Sequence, residues 1–357
     1  MTQGPLSKEA ARCVVRDERA GRCETTPAAP AAGENHKNGT TRPRISRKTP
    51  RADYLQGMRI AISGGKGRLA PGLAGYLGGL GHEVVLCSRS PSVGMLNLNE
   101  LLSSHQLGRF DAVLHLGWST VPLTAEETPE VEQEQDLSFV RGLVEAAARC
   151  GEAVKVVFFS TAAVYGDTGR EPVTEEAPCR PLGRYAAAKL DAERILLGQH
   201  GDSCVLRITN VVGSWCPQTR PQGIIPVLVR AVVDGSLVRI WGDGSAVKDY
   251  LAASDLHRAV EAVLTHDSRG VFNVASGHSL SVNELITLVE NAHGRPIRQS
   301  DLPRCSWDVT TSWVSSAKLR RDTGWTPRLS PLEYVLTVAA DANMACADVI
   351  ASVTGIP

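Results

Sequence analysis

The chain has 357 residues, of which 43% are hydrophobic, and its 38 Lys/Arg balance its 38 Asp/Glu. Because the formal net charge is zero and no apolar run is long enough to cross a bilayer, neither nucleic acid nor a membrane is an expected partner. The nine cysteines form no C-x-x-C pair and no zinc-like cluster with histidine, which predicts buried thiols in a reducing, cytoplasmic compartment and no bound metal.

Residues 1–57 differ in composition from the rest of the chain. The stretch 26–50 is rich in Pro, Ala, Thr and Arg without hydrophobic periodicity, and residues 1–57 hold eleven Lys/Arg against six Asp/Glu. It lacks the apolar run of a secretory signal. We therefore predict a disordered basic extension. Met58 begins MRIAISGG, which is typical of the start of a folded domain, so a start codon assigned too far upstream would also explain the extension.

From Met58 onward the pattern alternates between strands and helices. The strand-like runs are short, apolar and rich in β-branched residues, and helix-like stretches such as 69–81 and 136–151 separate them. This alternation predicts an α/β fold with a doubly wound parallel sheet. The predicted strands are 59–63, 83–87, 111–116, 155–160 and 204–209.

The rhythm becomes less regular beyond residue 213. We predict helices at 223–241 and 279–293 and a strand at 271–275. Residues 58–213, with returning segments near 240–275, would form the dinucleotide-binding domain. Residues 214–340 would form a smaller C-terminal substrate-binding lobe over the carboxyl edge of the sheet, followed by a tail at 341–357.

A glycine-rich turn links the first predicted strand to a helix. Gly64-Gly65-Lys66-Gly67-Arg68-Leu69-Ala70 has the pattern G-x-x-G-x-x-A. Glycines allow the backbone to approach a ligand closely, and the free N–H groups of the helix N-terminus attract a pyrophosphate. The position between a strand and a helix, with a second strand following, predicts a Rossmann-type site for a nicotinamide dinucleotide.

The second strand is followed by Ser88-Arg89-Ser90. An NAD site usually has an acid here for the ribose 2′-hydroxyl, whereas a 2′-phosphate would meet Arg89, with Lys66 and Arg68 close by. The sequence therefore favours NADP(H) over NAD.

Tyr185 and Lys189 open a predicted helix and lie one turn apart on one face. An ammonium beside a phenol favours the phenolate, so Tyr185 could act as acid or base near neutral pH. The strand 155–160 ends at Ser160-Thr161, which brings a hydroxyl to the carboxyl edge of the sheet. We predict Thr161, Tyr185 and Lys189 as the catalytic group.

Several motifs together resemble the extended short-chain dehydrogenase/reductases, and most closely the NAD-dependent epimerase/dehydratase family that acts on nucleotide sugars. The resemblance covers residues 58–340 in order. Its motifs are the glycine turn, HLGW at 115–118, FSTAAVYG at 159–166, RYAAAK at 184–189, LRITNVVG at 206–213 and IWGDGSAVKDYLAASDLHRAV at 240–260.

The resemblance implies roles for individual residues. Thr161 would hydrogen-bond the reacting sugar oxygen, Tyr185 would transfer its proton, and Lys189 would hold the nicotinamide ribose and tune Tyr185. The implied cofactor contacts are Gly64, Gly65, Lys66, Gly67, Arg68, Leu69, Ser88, Arg89, Asn97, Leu116, Gly117, Asp136, Ser160, Tyr185 and Lys189.

The substrate contacts are implied in the same way. Asn210 and Lys248 would meet the diphosphate, Lys248 standing where the family usually has an arginine, and Trp118 could line the sugar pocket. The family's Arg and Asp near the end of the chain correspond best to Arg304 and Asp308. Arg298 and Asp301 have the correct mutual spacing but need an extra loop.

The chain departs from the family at several of these positions. Ser88 replaces the NAD-binding acid, Ala70 the third glycine, Asp136 an Asn, and Gly117-Trp118 a pair of small residues.

The residues after Thr161 bear on the reaction. Ala162 and Ala163 stand where 4,6-dehydratases place an Asp-Glu pair, and alanine cannot transfer protons, so dehydration is disfavoured. We rank a nucleotide-sugar epimerase acting at C4 first and an NADPH-dependent 4-ketosugar reductase second. A non-catalytic dinucleotide sensor on the same fold is a third hypothesis. Family members often dimerise through helices that correspond to 136–150 and 185–199, so a homodimer is also expected.

Overall fold

The computed structural model describes residues 57–127, 130–150, 154–213, 223–330 and 333. Residues 1–56 of the predicted extension and the predicted tail at 341–357 lie outside the described residues.

Thirteen strands are present in the described part of the chain. In chain order they are β1 (Arg59–Ser63), β2 (Glu83–Ser88), β3 (Leu96–Asn97), β4 (Ala112–His115), β5 (Lys155–Thr161), β6 (Ser203–Ile208), β7 (Asn210–Val212), β8 (Val238–Trp241), β9 (Val247–Ala252), β10 (Gly270–Val274), β11 (Ser279–Ser281), β12 (Gln299–Leu302) and β13 (Thr311–Ser312).

Ten α-helices connect them within the same residues. They are α1 (Ala70–Gly79), α2 (Leu98–Leu101), α3 (Ser104–Leu107), α4 (Pro122–Glu127), α5 (Glu130–Arg149), α6 (Arg184–Gln199), α7 (Ile224–Asp234), α8 (Ala253–Thr265), α9 (Val282–His293) and α10 (Ala317–Thr323). A short 3₁₀ helix, Ala162–Tyr165, follows β5. Within the described residues, no helix has the length and apolarity needed to span a membrane.

Seven of the strands form one parallel sheet in the order β10-β6-β5-β4-β1-β2-β3. The order reverses direction between β1 and β4, and ligands of such sheets bind outside the carboxyl ends of the strands at this reversal. The predicted α/β fold with a doubly wound parallel sheet is confirmed.

Alternate residues of β1 enter two different apolar cores, one on each face of the sheet. Ile60 and Ile62 belong to the core that α1 and α8 cover, and Ala61 belongs to the core that α5 and α6 cover. A strand buried on both faces needs an uninterrupted apolar run, which explains why this strand could be located from the sequence.

The chain beyond β6 forms two smaller sheets. Strand β9 pairs with β7, β11 and β13, and β8 pairs with β12. The predicted helix 223–241 is wrong in its second half: α7 ends at Asp234 because Gly235 adopts a left-handed conformation (φ 74°), and Val238–Trp241 form a strand. The boundary of a separate lobe near residue 213 stays a prediction.

The side chain of Asp249 links β9 to neighbouring segments of the chain through hydrogen bonds. Its fully buried carboxylate accepts hydrogen bonds from the hydroxyls of Thr209 (2.7 Å) and Ser276 (2.9 Å) and from the backbone N–H groups of Ser276 (2.9 Å) and Gly277 (2.8 Å). Burial raises the pKa of Asp249, and these bonds oppose that rise. The carboxylate therefore holds the segments after β6 and β10 against β9, beside the cavities described next.

Candidate active site

A cavity of about 1050 Å³ lies at the carboxyl ends of β1, β2 and β4. Eight of the predicted cofactor residues line it: Gly64, Lys66, Gly67, Ser88, Arg89, Leu116, Gly117 and Asp136. Its shape and place suit an extended dinucleotide better than a compact metabolite. We call it the dinucleotide cavity.

The glycine turn is built by close backbone packing. Gly64 adopts φ +77°, and a Cβ atom there would lie 2.8 Å from the Cα and N atoms of Gly117. The N–H of Gly65 donates to the carbonyl of Cys87 (2.9 Å), and that of Gly67 to the carbonyl of Gly64 (2.7 Å). The ends of β1, β2 and β4 therefore meet without side chains between them, and the N-terminus of α1 points into the space left free.

Four of the predicted cofactor residues in or near this turn do not line the dinucleotide cavity. Gly65 is enclosed against β2, Leu69 packs against the core, and Arg68 lines a different cavity. Asn97 is a correction: its side chain accepts a hydrogen bond from the N–H of Asn99 (2.9 Å) and caps α2, while Asn99 lines the cavity. The capping pattern at the start of α2 was the missed signal.

The residues after β4 are fixed by two buried side chains. The hydroxyl of Ser63 accepts from the N–H of Gly117 (3.0 Å) and contacts Nδ1 of His115 (2.6 Å). The carboxylate of Asp136 accepts from both the N–H and the hydroxyl of Ser119 (2.8 Å each). Burial, with a contribution from the charge of Lys189, lowers the pKa of His115 to about 3, so this ring is neutral.

Thr161 and Tyr185 line a second, smaller cavity of about 110 Å³, which we call the sugar cavity. The Thr161 hydroxyl accepts a hydrogen bond from the N–H of Ala163 (3.2 Å) and caps the 3₁₀ helix. Burial and the negative charge of Asp136 raise the pKa of Tyr185 to about 12. Near neutral pH this phenol therefore carries its proton.

Lys189 is enclosed one turn further along α6, with only 2% of its surface exposed. Its ammonium donates to the carbonyl of Phe159 (2.8 Å) and lies 4.1 Å from the ring centre of Trp118 and 5.9 Å from that of Tyr185. Burial lowers the pKa of Lys189 to about 7, whereas the charges of Asp136 and Glu193 oppose this shift.

Lys189 lines neither the dinucleotide cavity nor the sugar cavity, and Tyr185 lines only the second. Trp118 lines the dinucleotide cavity and not the sugar cavity, and its expected contact with the sugar stays a prediction. Trp118 comes shortly after the end of β4, and this strand ends between the glycine turn and α5. The indole of Trp118 therefore faces the cofactor side.

A buried network that the sequence did not reveal lies next to the predicted catalytic residues. Glu193 accepts a short hydrogen bond from the hydroxyl of Ser160 and a two-pronged ion pair from Arg207, with Nη2 to Oε2 at 2.7 Å. Ser160 was expected to touch the cofactor, but this bond directs it toward α6. The missed signal was spacing, because Glu193 follows Lys189 by four residues on the same helical face. Arg207 also donates to the hydroxyl of Tyr165 (2.9 Å).

Asn210, Lys248 and Asp308 line both the sugar cavity and a third cavity of about 230 Å³. The amide of Asn210 donates to the carbonyl of Asp249 (3.0 Å), and the ammonium of Lys248 forms a short ion pair with Asp308. The third cavity also contains Arg68 and Arg239 and the aromatic side chain of Trp241, which suits a nucleoside diphosphate.

The expected contact of Arg304 with the substrate stays a prediction. The exposed side chain of Arg304 bonds the hydroxyl of Thr310 and does not line these cavities. The loop between β12 and β13 directs Asp308 inward and Arg304 outward. The alternative pair, Arg298 and Asp301, does not line the sugar cavity or the third cavity either, and Asp301 lies in β12.

Each of the three cavities could serve a different chemical purpose. A glycine-lined cavity can hold a dinucleotide, a neighbouring cavity offers a hydroxyl and a protonated phenol, and a third offers cations for a diphosphate. Together these fit hydride transfer at a carbinol carbon of a diphosphate-linked substrate, with Tyr185 handling the proton.

Comparisons with known proteins agree with this chemistry. The model of the family described as "NAD dependent epimerase/dehydratase family" matches residues 60–275. The chain is 27% identical over 313 residues to UDP-glucose 4-epimerase of Corynebacterium glutamicum, covering 78% of this chain and 94% of that protein.

Two solved structures resemble the chain over most of its length. UDP-glucose 4-epimerase of Thermus thermophilus in complex with NAD has a TM-score of 0.70 and 25% identity, covering 81% of this chain and 100% of the other. MoeE5 in complex with UDP-glucose and NAD has a TM-score of 0.70 and 27% identity, covering 80% and 98%.

Proposed function

Because the chain belongs to the NAD-dependent epimerase/dehydratase family, we propose that it is a nucleotide-sugar 4-epimerase. The observation that carries this proposal is the meeting of Thr161 and Tyr185 with Asn210, Lys248 and Asp308 around one cavity. A non-catalytic sensor would have no use for that set.

A bound nicotinamide dinucleotide supplies the acceptor and donor of the hydride that leaves and returns to the sugar carbon. We assign the proton to Tyr185, whose phenol is protonated near neutral pH and can donate to the sugar oxygen. Taking a proton from the sugar hydroxyl needs positive charge near the ring, which the ammonium of Lys189 provides. Thr161 would hold the same oxygen through its hydroxyl. Ala162 and Ala163 add no acid or base, which argues against dehydration.

We propose that the substrate is a UDP-sugar, because the names of the relatives contain UDP-glucose. Lys248 and Asn210 would contact the diphosphate where the sugar cavity meets the third cavity. Lysine keeps the charge of the family's usual arginine but not its two-pronged hydrogen bonding.

The cofactor belongs to the nicotinamide dinucleotides, and we propose a preference for NADP(H). Ser88 ends β2, Arg89 follows it, and both line the dinucleotide cavity together with Lys66, whereas no carboxylate stands at the end of that strand. A 2′-phosphate would find cations there, whereas the 2′-hydroxyl of NAD would lack its usual acceptor.

That preference also favours the second hypothesis, an NADPH-dependent 4-ketosugar reductase. An epimerase regenerates its cofactor in each cycle and keeps it, whereas a reductase releases the oxidised form.

Two further expectations belong to this proposal. Helices α5 and α6 pack against each other along one side of the large sheet and would pair with a second copy. A cytoplasmic location is supported by four of the described cysteines, Cys87, Cys179, Cys204 and Cys305, which are free thiols.

The test is conversion of UDP-glucose by the purified protein with a catalytic amount of NAD⁺ or NADP⁺, followed by chromatography of the nucleotide sugars. We expect UDP-galactose to form without net production of reduced cofactor. Consumption of NADPH only when a 4-keto nucleotide sugar is supplied would instead identify a reductase. Cofactor binding without any turnover on either substrate class would favour the sensor.

A further inference from the structure

The indole of Trp118 stands between the two cavities in which the reaction would take place. It lines the dinucleotide cavity, and its ring centre lies 4.1 Å from the ammonium of Lys189. Lys189 reaches neither cavity, because the rings of Trp118 and Phe158 and the carbonyl of Phe159 surround its ammonium. Tyr185 opens only to the sugar cavity on the other side.

Hydrogen bonds hold the backbone on both sides of Trp118. The indole can therefore move only if the side chain rotates. On one side the N–H of Gly117 is bonded to Ser63 (3.0 Å), and on the other Ser119 is bonded twice to Asp136 (2.8 Å each). The indole packs against the apolar core on the α5 and α6 face of the sheet, with its ring centre 6.0 Å from that of Phe158. Its Nε1 is buried and has no hydrogen-bond partner among the described residues.

The unpaired Nε1 destabilises the observed conformation of the Trp118 side chain. A buried N–H without an acceptor costs free energy, and the contact between the indole and the ammonium offsets part of that cost. Rotation of the side chain would free Nε1 to find an acceptor, at the cost of the contacts with Lys189 and Phe158.

We propose that Trp118 sets the affinity for the cofactor, because its indole covers Lys189 and has to turn away before Lys189 can contact the nicotinamide half of a bound dinucleotide. The inference rests on the proposed function, since it assumes that a nicotinamide dinucleotide enters the cavity. Binding then has to break the contact between the indole and Lys189, which weakens the affinity for NAD(P)⁺. ADP, which lacks the nicotinamide and its ribose, does not extend to that contact.

The first test is calorimetric titration of wild type, Trp118→Ala and Trp118→Phe with NADP⁺, NAD⁺ and ADP. For Trp118→Ala we expect the Kd of the dinucleotides to fall about three- to tenfold, because no stacked ring has to be displaced. The Kd of ADP should stay the same. Trp118→Phe keeps an aromatic face on Lys189 and should remain close to wild type.

A second measurement does not depend on the folding of Trp118→Ala. In protein labelled with 5-fluorotryptophan, the ¹⁹F resonance of residue 118 is the one missing from Trp118→Phe. This resonance should shift on addition of NADP⁺ or NAD⁺ and stay in place on addition of ADP.

The outcomes separate the two proposals. Dinucleotide affinity that is unchanged or weaker in Trp118→Ala, or a resonance of residue 118 that does not move, overturns the role of Trp118 and leaves the proposed function intact. If wild type and Trp118→Ala both fail to bind any dinucleotide, the proposed function itself is wrong and this inference fails with it.

Discussion

Lys189 and Glu193 lie one turn apart on the same face of α6, and each holds a different residue at the end of β5. The ammonium of Lys189 donates to the carbonyl of Phe159 (2.8 Å), and the carboxylate of Glu193 accepts from the hydroxyl of Ser160. The next residue of the strand is Thr161. The register between α6 and β5, and with it the placement of Thr161 relative to Tyr185, therefore depends on these two side chains.

Glu193→Gln should show that the negative charge of Glu193 affects turnover, in addition to the hydrogen bonds that this side chain makes. Because Glu193 raises the pKa of Lys189, its neutralisation lowers that pKa. If turnover needs the charged ammonium, the alkaline limb of the pH profile of kcat moves to lower pH. We also expect a loss of about 2 kcal/mol in the free energy of unfolding, because Arg207 is left with a neutral partner. Urea denaturation and pH–rate profiles measure both effects.

Arg207→Lys is the matched control for this prediction. It weakens the same buried pair but leaves the charge of Glu193 in place, so the protein should lose stability without a shift in the pH profile. A Glu193→Gln profile that coincides with that of wild type would limit Glu193 to a structural role.

Tyr185→Phe should keep the fold and cofactor binding but lose turnover by about 100-fold or more, because the ring remains and the proton donor is gone. Steady-state kinetics and a cofactor titration on the same sample measure the two properties. The assignment of Tyr185 is refuted if kcat is unchanged.

Arg89→Ala should reduce the preference for NADPH over NADH. A guanidinium on the rim of the dinucleotide cavity favours the 2′-phosphate by a charge-assisted hydrogen bond. We expect the affinity for NADPH to fall about tenfold and that for NADH to change little. Fluorescence titration with both cofactors tests this, and equal affinities in the wild-type protein would end the proposed preference.

Lys248→Ala should raise KM about tenfold or more, because it removes a cation where the two substrate cavities meet. Lys248→Arg restores the two-pronged donor and should keep KM within about threefold of wild type or lower it. Initial rates over a range of UDP-sugar concentrations give KM and kcat separately. If Lys248→Ala changes kcat alone, the lysine does not act in substrate binding.

His257 should make stability depend on pH in the acid range. Burial lowers its pKa from 6.5 to about 4, so below pH 6.5 the unfolded chain takes up a proton that the folded protein does not. Stability therefore falls as the pH drops from about 6.5 toward 4, by up to about 1.4 kcal/mol per pH unit for this residue.

Urea denaturation at several pH values should show a flatter dependence for His257→Asn than for wild type. Part of the slope remains, because His115 has a lowered pKa as well. An identical pH dependence in variant and wild type would contradict the prediction.

The sequence predicted the features that depend on local pattern. The glycine turn, six of the seven β-strands of the large sheet and the spacing of Tyr185 and Lys189 follow from backbone geometry and helical periodicity, so they could be recognised without a structure, whereas the two-residue strand β3 was not predicted. Side-chain direction could not. Arg304 and Asp308 share one loop but point to different sides, and Asn97 caps α2 instead of facing the cavity.

Contacts between distant segments were also beyond the sequence. The enclosure of Lys189 by Trp118 and Phe158 brings together the ends of β4, β5 and α6, and the pair formed by Lys248 and Asp308 joins residues 60 positions apart. Neither arrangement leaves a periodic trace in the chain.

Strand β10 has a practical consequence for anyone who wishes to shorten this protein. It comes after α7, α8 and β9 in the chain, yet it is hydrogen-bonded to β6 as the last strand of the large sheet. A fragment that stops at residue 213 would leave the backbone of β6 unpaired along one edge and its apolar side chains open to self-association. A shortened protein therefore has to retain β10 to keep the large sheet intact.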